Sequence, residues 1–149
     1  MSLEENKAII RRWFEAENKK DLSPIEDIVA PDFIDQTNQL RSREEYKKRL
    51  TMFIKGFPDF QETIEDIIAE GDNVWVRFKF TGTHTDEWNF FGITLAPTGK
   101  KITWTGVHFW RIVDGKIVRK ESLYDFLDAL KQLGLIKYKG EGKKLFPEQ

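Results

Sequence analysis

The spacing of apolar residues changes once along the chain, near residue 60, and this change limits the possible folds most strongly. Before that point apolar residues recur at helical spacing, as in Ile10, Trp13 and Phe14. After it they alternate with polar residues over 74–81, which is typical of a half-buried strand. Helices followed by antiparallel strands predict an α+β domain.

The N-terminal helices are marked by their first residues. A serine followed three residues later by glutamate fits a capping box, in which each side chain bonds an otherwise free backbone N–H. A serine followed by proline is a second pattern of helix starts. These starts lie at Ser2 with Glu5, at Ser23 with Pro24, and at Ser42 with Glu45. We expect the second helix to end at 31–32, an extended segment at 33–36, and a third helix that stops at 56–58.

Turn residues separate the predicted strands, which span 64–69, 74–81, 101–112 and 116–122. The Asp-Gly pair at 114–115 predicts a tight turn between the last two. Residues 86–100 form either a long hydrophobic loop or an irregular hairpin. A final helix is expected over 125–133, ended by Gly134.

Composition excludes several classes of site. The 149 residues suit one domain, with a core at about 3–136 and a loosely held tail at 137–149. The 24 basic and 25 acidic residues nearly cancel, unlike those of a nucleic-acid-binding protein. With no cysteine and only two histidines, we expect no metal site. No apolar run reaches the ~18 residues of a membrane span, and the N-terminus is too charged for a secretory signal, so we expect a cytoplasmic protein with no membrane partner.

Aromatic residues are unusually frequent. Twelve Phe, five Trp and three Tyr exceed what the ordinary packing of one domain needs. Because ligand pockets are mostly apolar and aromatic, some of these rings are expected to line a cavity, the alternative for each being plain core packing. Long strands rich in aromatic residues form a curved antiparallel sheet, and helices laid over its concave side would leave such a cavity between the two layers.

Four segments stand in the order, and at the spacings, of a known family. They are APDFID, FPDFQETIEDIIAEGDNVWVRFKFTGTH, FGITLAPTGKKI and HFWRIVDGKIVRKESLYDFLDALKQLG, the last over 108–134. In this order they resemble the early strand, the middle strands, the aromatic loop, and the final strands and helix of the SnoaL-like polyketide cyclases. The resemblance covers about 5–136. It implies the nuclear-transport-factor-2-like fold, also called a cystatin-like α+β cone.

The resemblance also implies a chemistry. SnoaL-like cyclases close a carbon ring by an intramolecular aldol reaction without a cofactor, in which a carboxylate takes a proton beside a carbonyl group. The family's key aspartate corresponds here to Ser122, and a serine hydroxyl is no base without a partner that deprotonates it. His108 corresponds to a pocket histidine of the family. Its alternative is a buried histidine bonded to a neighbour.

The neighbours of His108 depend on the turn after it. With a three-residue loop at 113–115, His108 faces Lys120 and lies diagonally beside Ser122. With a two-residue turn at 114–115, it faces Glu121 instead. We prefer the three-residue loop, because it places His108 and Ser122 on one face, as the resemblance requires.

A carboxylate elsewhere would have to replace the missing aspartate. Asp35, within PDFIDQ, stands where the cyclases carry a polar amide, and the same segment resembles the part of ketosteroid isomerase that bears its general-base aspartate. We hypothesise that Asp35 or Glu121 acts across the pocket from His108. The alternative for Asp35 is a solvated residue at a helix-to-strand junction.

The pocket walls are assigned partly by alternation. Trp104 and Trp110 share the parity of His108 in their strand and are predicted to line the pocket, whereas Phe109 points outward. His84 is predicted either at the pocket mouth or in a loop. The other predicted lining residues are Trp13, Phe53, Trp88, Phe90 and Tyr124.

Two classes of function stay open. One is a cofactor-free enzyme for aldol cyclisation, isomerisation or dehydration of a small hydrophobic carbonyl compound. The other is a domain that binds a small hydrophobic ligand without turnover, which Ser122 favours. The resemblance further implies a homodimer through the exposed sheet face, where Trp75, Val107 and Phe109 would lie.

Overall fold

Helices and strands occupy separate parts of the chain, as the change in apolar spacing predicts. The computed structural model describes residues 2–90 and 92–136, and the predicted tail at 137–149 lies outside them. In chain order the elements are α1 (Leu3–Asn18), α2 (Ile25–Ile28), β1 (Val29–Asp35), α3 (Arg43–Gly56), β2 (Gln61–Glu70), β3 (Asn73–Thr83), β4 (Trp88–Phe90), β5 (Ile93–Leu95), β6 (Lys101–Val113), β7 (Lys116–Tyr124) and α4 (Phe126–Gln132). No helix in the described part is both long and apolar enough to cross a bilayer.

Capping residues fix where α1 and α3 begin. Ser2 Oγ accepts from the Glu5 N–H at 3.1 Å, and the Glu5 carboxylate accepts from the Ser2 N–H at 2.7 Å, which confirms the capping box. Ser42 caps α3 through its hydroxyl oxygen. The cap predicted at Ser23 is wrong, because its N–H donates to Asp21 and the single turn of α2 follows without a side-chain cap.

A five-stranded sheet in the order β1-β7-β6-β3-β2 forms the main layer. The prediction of an antiparallel sheet is wrong at one edge, because β1 runs parallel to β7. Pro31, expected to end α2, lies inside β1. Proline has no N–H to donate and is therefore tolerated in an edge strand. The α+β class is confirmed, with a mixed sheet.

Alternation along the strands decides which face is covered. Val74, Val76, Phe78 and Phe80 of β3 are buried, while the residues between them are exposed. The helices α1 and α3 pack over this inner face, and α4 packs against β6. The segment 86–100 is the irregular hairpin, since β4 pairs with β5 in a separate two-stranded sheet.

The pairing of β6 with β7 differs from both predicted registers. Val113 pairs with Lys116 across a two-residue turn whose residues both have positive φ, so the preferred three-residue loop is wrong. The register then shifts by one residue between Ile112 and Arg111, which leaves Val118 as the extra residue of a bulge. As a result His108 pairs directly with Ser122. The bulge thus puts the two side chains on one face.

Candidate active site

A cavity of about 80 Å³ lies between the inner face of the sheet and the helical layer. Its apolar wall consists mainly of rings, those of Tyr46, Phe53, Phe60, Phe78, Trp88, Trp104 and Tyr124, with Leu50 beside them. The polar side chains that line it are Glu17, Asp35, Asn38, Arg49, Glu62, His108, Lys120 and Ser122. Apolar walls with a few convergent polar groups are typical of small-molecule sites.

Four of the aromatic residues expected in the pocket line this cavity. The ring of Trp104 lies nearly parallel to those of Trp88 and Tyr124, with centroids 5.8 and 5.3 Å away. Phe53 reaches the cavity from α3 and meets the edge of Trp88. The side chain of Phe90 lies outside the described part of the structure. The hairpin therefore contributes to the cavity through Trp88.

Three other predicted pocket residues lie elsewhere. Trp110 shares the face of His108, but Phe14 of α1 packs against its ring and it is fully buried in the core. Trp13 is also fully buried, and its indole Nε1 donates to the hydroxyl of Tyr46, which lines the cavity in its place. His84 is fully buried and its Nδ1 accepts from the Thr98 N–H, so it holds the loop after β5 and is not at a pocket mouth.

His108 is enclosed by rings. Phe78 stacks on it with centroids 3.9 Å apart and planes 2° from parallel. Its Nδ1 lies 2.7 Å from Ser122 Oγ, and its Nε2 lies 3.5 Å from a carboxylate oxygen of Glu62. Burial holds the pKa of His108 well below its usual value, and Lys120 lowers that pKa further while Asp35 opposes the shift. At neutral pH the ring is uncharged.

Ser122 orients this ring. The Thr37 hydroxyl donates to the Ser122 carbonyl and accepts from the Ser122 N–H, which fixes the serine backbone. When the serine hydroxyl donates to Nδ1, the ring proton lies on Nε2 and faces Glu62. Ser122 is therefore placed to set the tautomer of His108.

Replacing Ser122 by aspartate should raise the pKa of His108. In Ser122→Asp a carboxylate would stand beside Nδ1, and an opposite charge at that distance raises an imidazole pKa by about 1–3 units. Titration of the two histidines by NMR measures this, with Ser122→Asn as the uncharged control. Equal His108 titration in the two variants would show that Ser122 does not face the ring.

Glu62 is a buried carboxyl group that the sequence interpretation did not include. Asn18 of α1 holds its backbone, since the amide oxygen accepts from the Glu62 N–H at 2.8 Å and the amide NH₂ donates to the Glu62 carbonyl at 2.9 Å. The side chain is 13% exposed and lines the cavity. Burial raises the pKa of Glu62 to about 7, against the attraction of Lys120. A carboxyl group that titrates near neutrality suits proton transfer.

Glu17 forms the second buried carboxyl group of the cavity. Trp13 Nε1 donates to the hydroxyl of Tyr46 at 3.1 Å, and this hydroxyl donates to Glu17 Oε1 at 3.1 Å. Burial raises the pKa of Glu17 to about 7; Lys120 lowers this pKa and the nearby Glu62 raises it. Two carboxyl groups in one small cavity hinder each other's ionisation.

Asp35 lines the cavity and is fully buried, so the solvated alternative for it is wrong. Its two carboxylate oxygens accept from the backbone N–H and the side-chain amide of Asn38, at 3.0 and 2.8 Å. Its backbone is fixed as well, through a bridge to Leu40. The Asp35 carboxylate is therefore already engaged by hydrogen bonds.

Glu121 does not reach the cavity. It follows Lys120 in β7 and so points to the outer face of the sheet. Its carboxylate pairs there with Arg119 at 2.6 Å, and both side chains are about two-fifths exposed. The hypothesis that placed Glu121 across the pocket from His108 is wrong, because the bulge puts Ser122 in that position.

The residues that the sequence interpretation missed had a signal. Glu17 follows Trp13 by four residues, on the apolar stripe of α1. Glu62 lies two residues from Phe60 and two from Ile64, and residues spaced by two in a strand point to the same face. Glu62 therefore shares its face with two apolar residues. A carboxylate on an apolar face indicates a buried acid.

Comparison with known proteins gives a consistent result. The model of the SnoaL-like polyketide cyclases matches residues 7–133. The aklanonic acid methyl ester cyclase AcmA of Streptomyces galilaeus is 26% identical over 138 residues, which cover 89% of this chain and 92% of AcmA. The corresponding cyclase DnrD of Streptomyces peucetius is 28% identical over 133 residues, covering 85% and 88% of the two chains. The crystal structure of AclR from Streptomyces galilaeus, a candidate hydroxylase, superposes with a TM-score of 0.77 at 32% identity, over 91% of this chain and all of AclR.

The family match extends over most of the chain and includes every strand of the main sheet together with α3. It also contains all the residues that line the cavity. The chain belongs to the SnoaL-like polyketide cyclase family.

Proposed function

We propose that this protein is a cofactor-free acid/base catalyst that removes a proton from carbon beside a carbonyl group in a small hydrophobic compound. The observation that carries the proposal is the Glu62 carboxylate, 3.5 Å from His108 Nε2 inside an aromatic cavity and with a pKa near neutrality. Membership of a family of cyclases supports it. Aldol ring closure, isomerisation and dehydration all begin with this step.

Three polar side chains of the cavity, those of Glu62, His108 and Ser122, take part in the proposed reaction. The Glu62 carboxylate takes the proton, and the electron pair of the broken C–H bond forms an enolate. In a ring closure the enolate carbon then bonds to a second carbonyl carbon of the same molecule, whose oxygen takes the proton back from Glu62, while the neutral His108 ring stays beside the carboxylate. Ser122 keeps the imidazole in the required orientation. No group from outside the protein and substrate is consumed.

Glu62 replaces Asp35 in this proposal as the base. The carboxylate of Asp35 is already engaged, because both of its oxygens accept hydrogen bonds from Asn38. None of the described residues donates a hydrogen bond to the Glu62 carboxylate. Asp35 instead places a negative charge near His108.

The second candidate function is ligand binding without turnover. The serine at position 122 favours it. The cavity volume of about 80 Å³ is far below the roughly 300–1,000 Å³ of sites for drug-sized ligands. The same volume limits either function to a small molecule.

Deuterium exchange separates the two candidates. The ketone 2-tetralone is small and flat and carries acidic C–H groups beside its carbonyl. In D₂O, NMR should show the protein exchanging these protons at least about a hundredfold faster than equimolar acetate, since a positioned base contributes about 10²–10⁴-fold. Binding of 2-tetralone with exchange no faster than acetate would support the binding domain and contradict the enzyme.

We also propose that the outer face of the sheet forms a homodimer interface. Trp75 is 46% exposed, its ring lies 4.6 Å from that of Phe109, and Ile68 and Leu123 extend the exposed apolar surface. Trp75→Glu should raise the dimer dissociation constant by roughly 30-fold, the effect of losing an interface residue worth about 2 kcal/mol. Analytical ultracentrifugation measures this dissociation constant, and Ile93→Glu, an exposed position on the β4–β5 hairpin, is the control that should leave it unchanged. A monomeric wild type, or an unchanged dissociation constant for Trp75→Glu, would refute this interface.

A further inference from the structure

Lys120 places a positive charge in the cavity. It lies on β7 between Trp110 of β6 and Asp35 of β1, its partners in the two ladders. Its Nζ lies 4.9 Å from the ring centroid of Trp110 and 5.6 Å from that of Tyr46. These two aromatic faces hold the ammonium group and supply no hydrogen-bond acceptor of the usual kind.

The ammonium group of Lys120 has no anionic partner among the described residues. None of their carboxylate oxygens lies within 4.0 Å of its Nζ. The nearby acids are directed elsewhere, Glu17 toward Tyr46, Asp35 toward Asn38 and Glu62 toward His108. Other lysines differ, as Lys116 donates to two backbone carbonyls and Lys19 pairs with Glu15.

Lys120 is half-buried at the cavity wall, and Glu17 and Glu62 offset its charge only from beyond 4.0 Å, so an anionic ligand beside its Nζ would be stabilised. The proposed proton transfer creates such a ligand, because the carbonyl oxygen of the substrate becomes negatively charged when the C–H bond breaks. A fixed positive charge beside that oxygen stabilises the enolate more than the neutral ketone, which is how electrostatic catalysis lowers a barrier.

We propose that Lys120 binds the oxygen that becomes negatively charged, so that the substrate class is flat ketones and enols whose enolate fits between the aromatic walls. The inference rests on the proposed function, and it adds a catalytic residue and a substrate class to it. The proton passes from carbon to Glu62, the electron pair stays on the substrate, and its charge faces the Lys120 ammonium.

Arg49 is the other cation of the cavity. Burial raises the pKa of the Tyr124 phenol, Arg49 opposes this shift, and Glu62 and Asp35 add to it. The charge of Lys120 acts on Glu17, Glu62 and His108 together, the groups that would exchange protons with a substrate. Lys120 is therefore the cation on the reactive side.

The ionisation of bound 4-nitrophenol tests this assignment without turnover. Its phenolate resembles an enolate in shape and charge, and it absorbs at a longer wavelength than the neutral phenol. Bound to the wild type, the probe should have its pKa lowered by about one unit or more, the effect of a cation within about 4–6 Å. Lys120→Met should abolish this shift and Lys120→Arg should keep most of it. Thermal melting checks that each variant is folded.

Two further variants complete the test. Lys79→Met removes one lysine charge from the exposed face of β3 and should leave the shift unchanged. Arg49→Met should also retain the pKa shift of bound 4-nitrophenol. The proposal is overturned when the wild type shows no saturable binding or no shift, when Lys120→Met retains the shift, or when Arg49→Met alone loses it. If the pKa of bound 4-nitrophenol is shifted but 2-tetralone takes up no deuterium, the anion site at Lys120 is supported and the proposed function is rejected. If 2-tetralone takes up deuterium but the pKa of 4-nitrophenol is not shifted, the role of Lys120 is rejected and the proposed function stands.

Discussion

Glu62→Gln is expected to slow deuterium uptake by 2-tetralone by about 10²–10⁴-fold, the usual contribution of a positioned general base. The amide has nearly the shape of the carboxylate, so it keeps the backbone bonds to Asn18 and the packing of the cavity wall. It cannot accept a proton from carbon. The loss should therefore fall on the rate constant of the bound substrate and leave the affinity for 2-tetralone nearly unchanged.

The matched control is Glu65→Gln, on the same strand. Glu65 lies near the outer face, where it pairs with Arg77 at 3.0 Å, and its loss removes one negative charge far from the rings of the cavity. We expect wild-type exchange from this variant. Asp35→Asn is the second comparison: an exchange rate that falls in Asp35→Asn and not in Glu62→Gln would return the base to Asp35.

Glu17→Gln is expected to stabilise the protein above neutral pH. The pKa of Glu17 rises from 4.5 in the unfolded chain to about 7 in the folded one, mainly because the group is buried. Between these pH values the unfolded state binds fewer protons than the folded state, so stability falls as pH rises. At about 1.4 kcal/mol per unit, the folded protein loses up to roughly 3 kcal/mol by pH 7 and above. The amide avoids this loss, and its oxygen still accepts from Tyr46.

Urea unfolding at two pH values measures the effect. The free energy of unfolding of Glu17→Gln should exceed that of the wild type at pH 8 and match it at about pH 3, well below the unfolded-state pKa of 4.5, where Glu17 is protonated in both states. Glu15→Gln, an exposed position on α1, should stay within about 0.5 kcal/mol of the wild type. A variant less stable than the wild type at pH 8, or one with the same advantage at both pH values, would show that Glu17 is not held as a neutral acid.

Local signals predicted most of the fold. The caps at Ser2 and Ser42, the alternation along β3 and the Asp-Gly turn each depend on neighbours in sequence, and each is confirmed. The parallel pairing of β1 with β7 joins residues about 85 positions apart and leaves no local pattern. The β-bulge at Val118 likewise has no signal in the sequence, because a valine there fits a regular strand equally well.

The site was predicted in part for the same reason. Parity placed His108 and Trp104 on the inner face, and Trp110 too, but parity cannot say where a helix will cover that face. Whether Glu17 is neutral depends on Tyr46, on Lys120 and on burial, which only the assembled domain defines. Lys120 has the parity of Ser122, so the sequence can place it on the inner face. That no described carboxylate pairs with its ammonium group becomes evident only in the folded domain.

The pH dependence of deuterium uptake by 2-tetralone, measured in the wild type and in Glu62→Gln, tests the central claim most directly. Since the carboxylate is the active form of Glu62 and its pKa is about 7, the wild-type rate should rise with pH up to that value and level off above it. The Glu62→Gln rate should be low and should lack this rise. A wild-type rate that does not change as pH passes through 7, or a rise of equal height in Glu62→Gln, would contradict the assignment of Glu62 as the base.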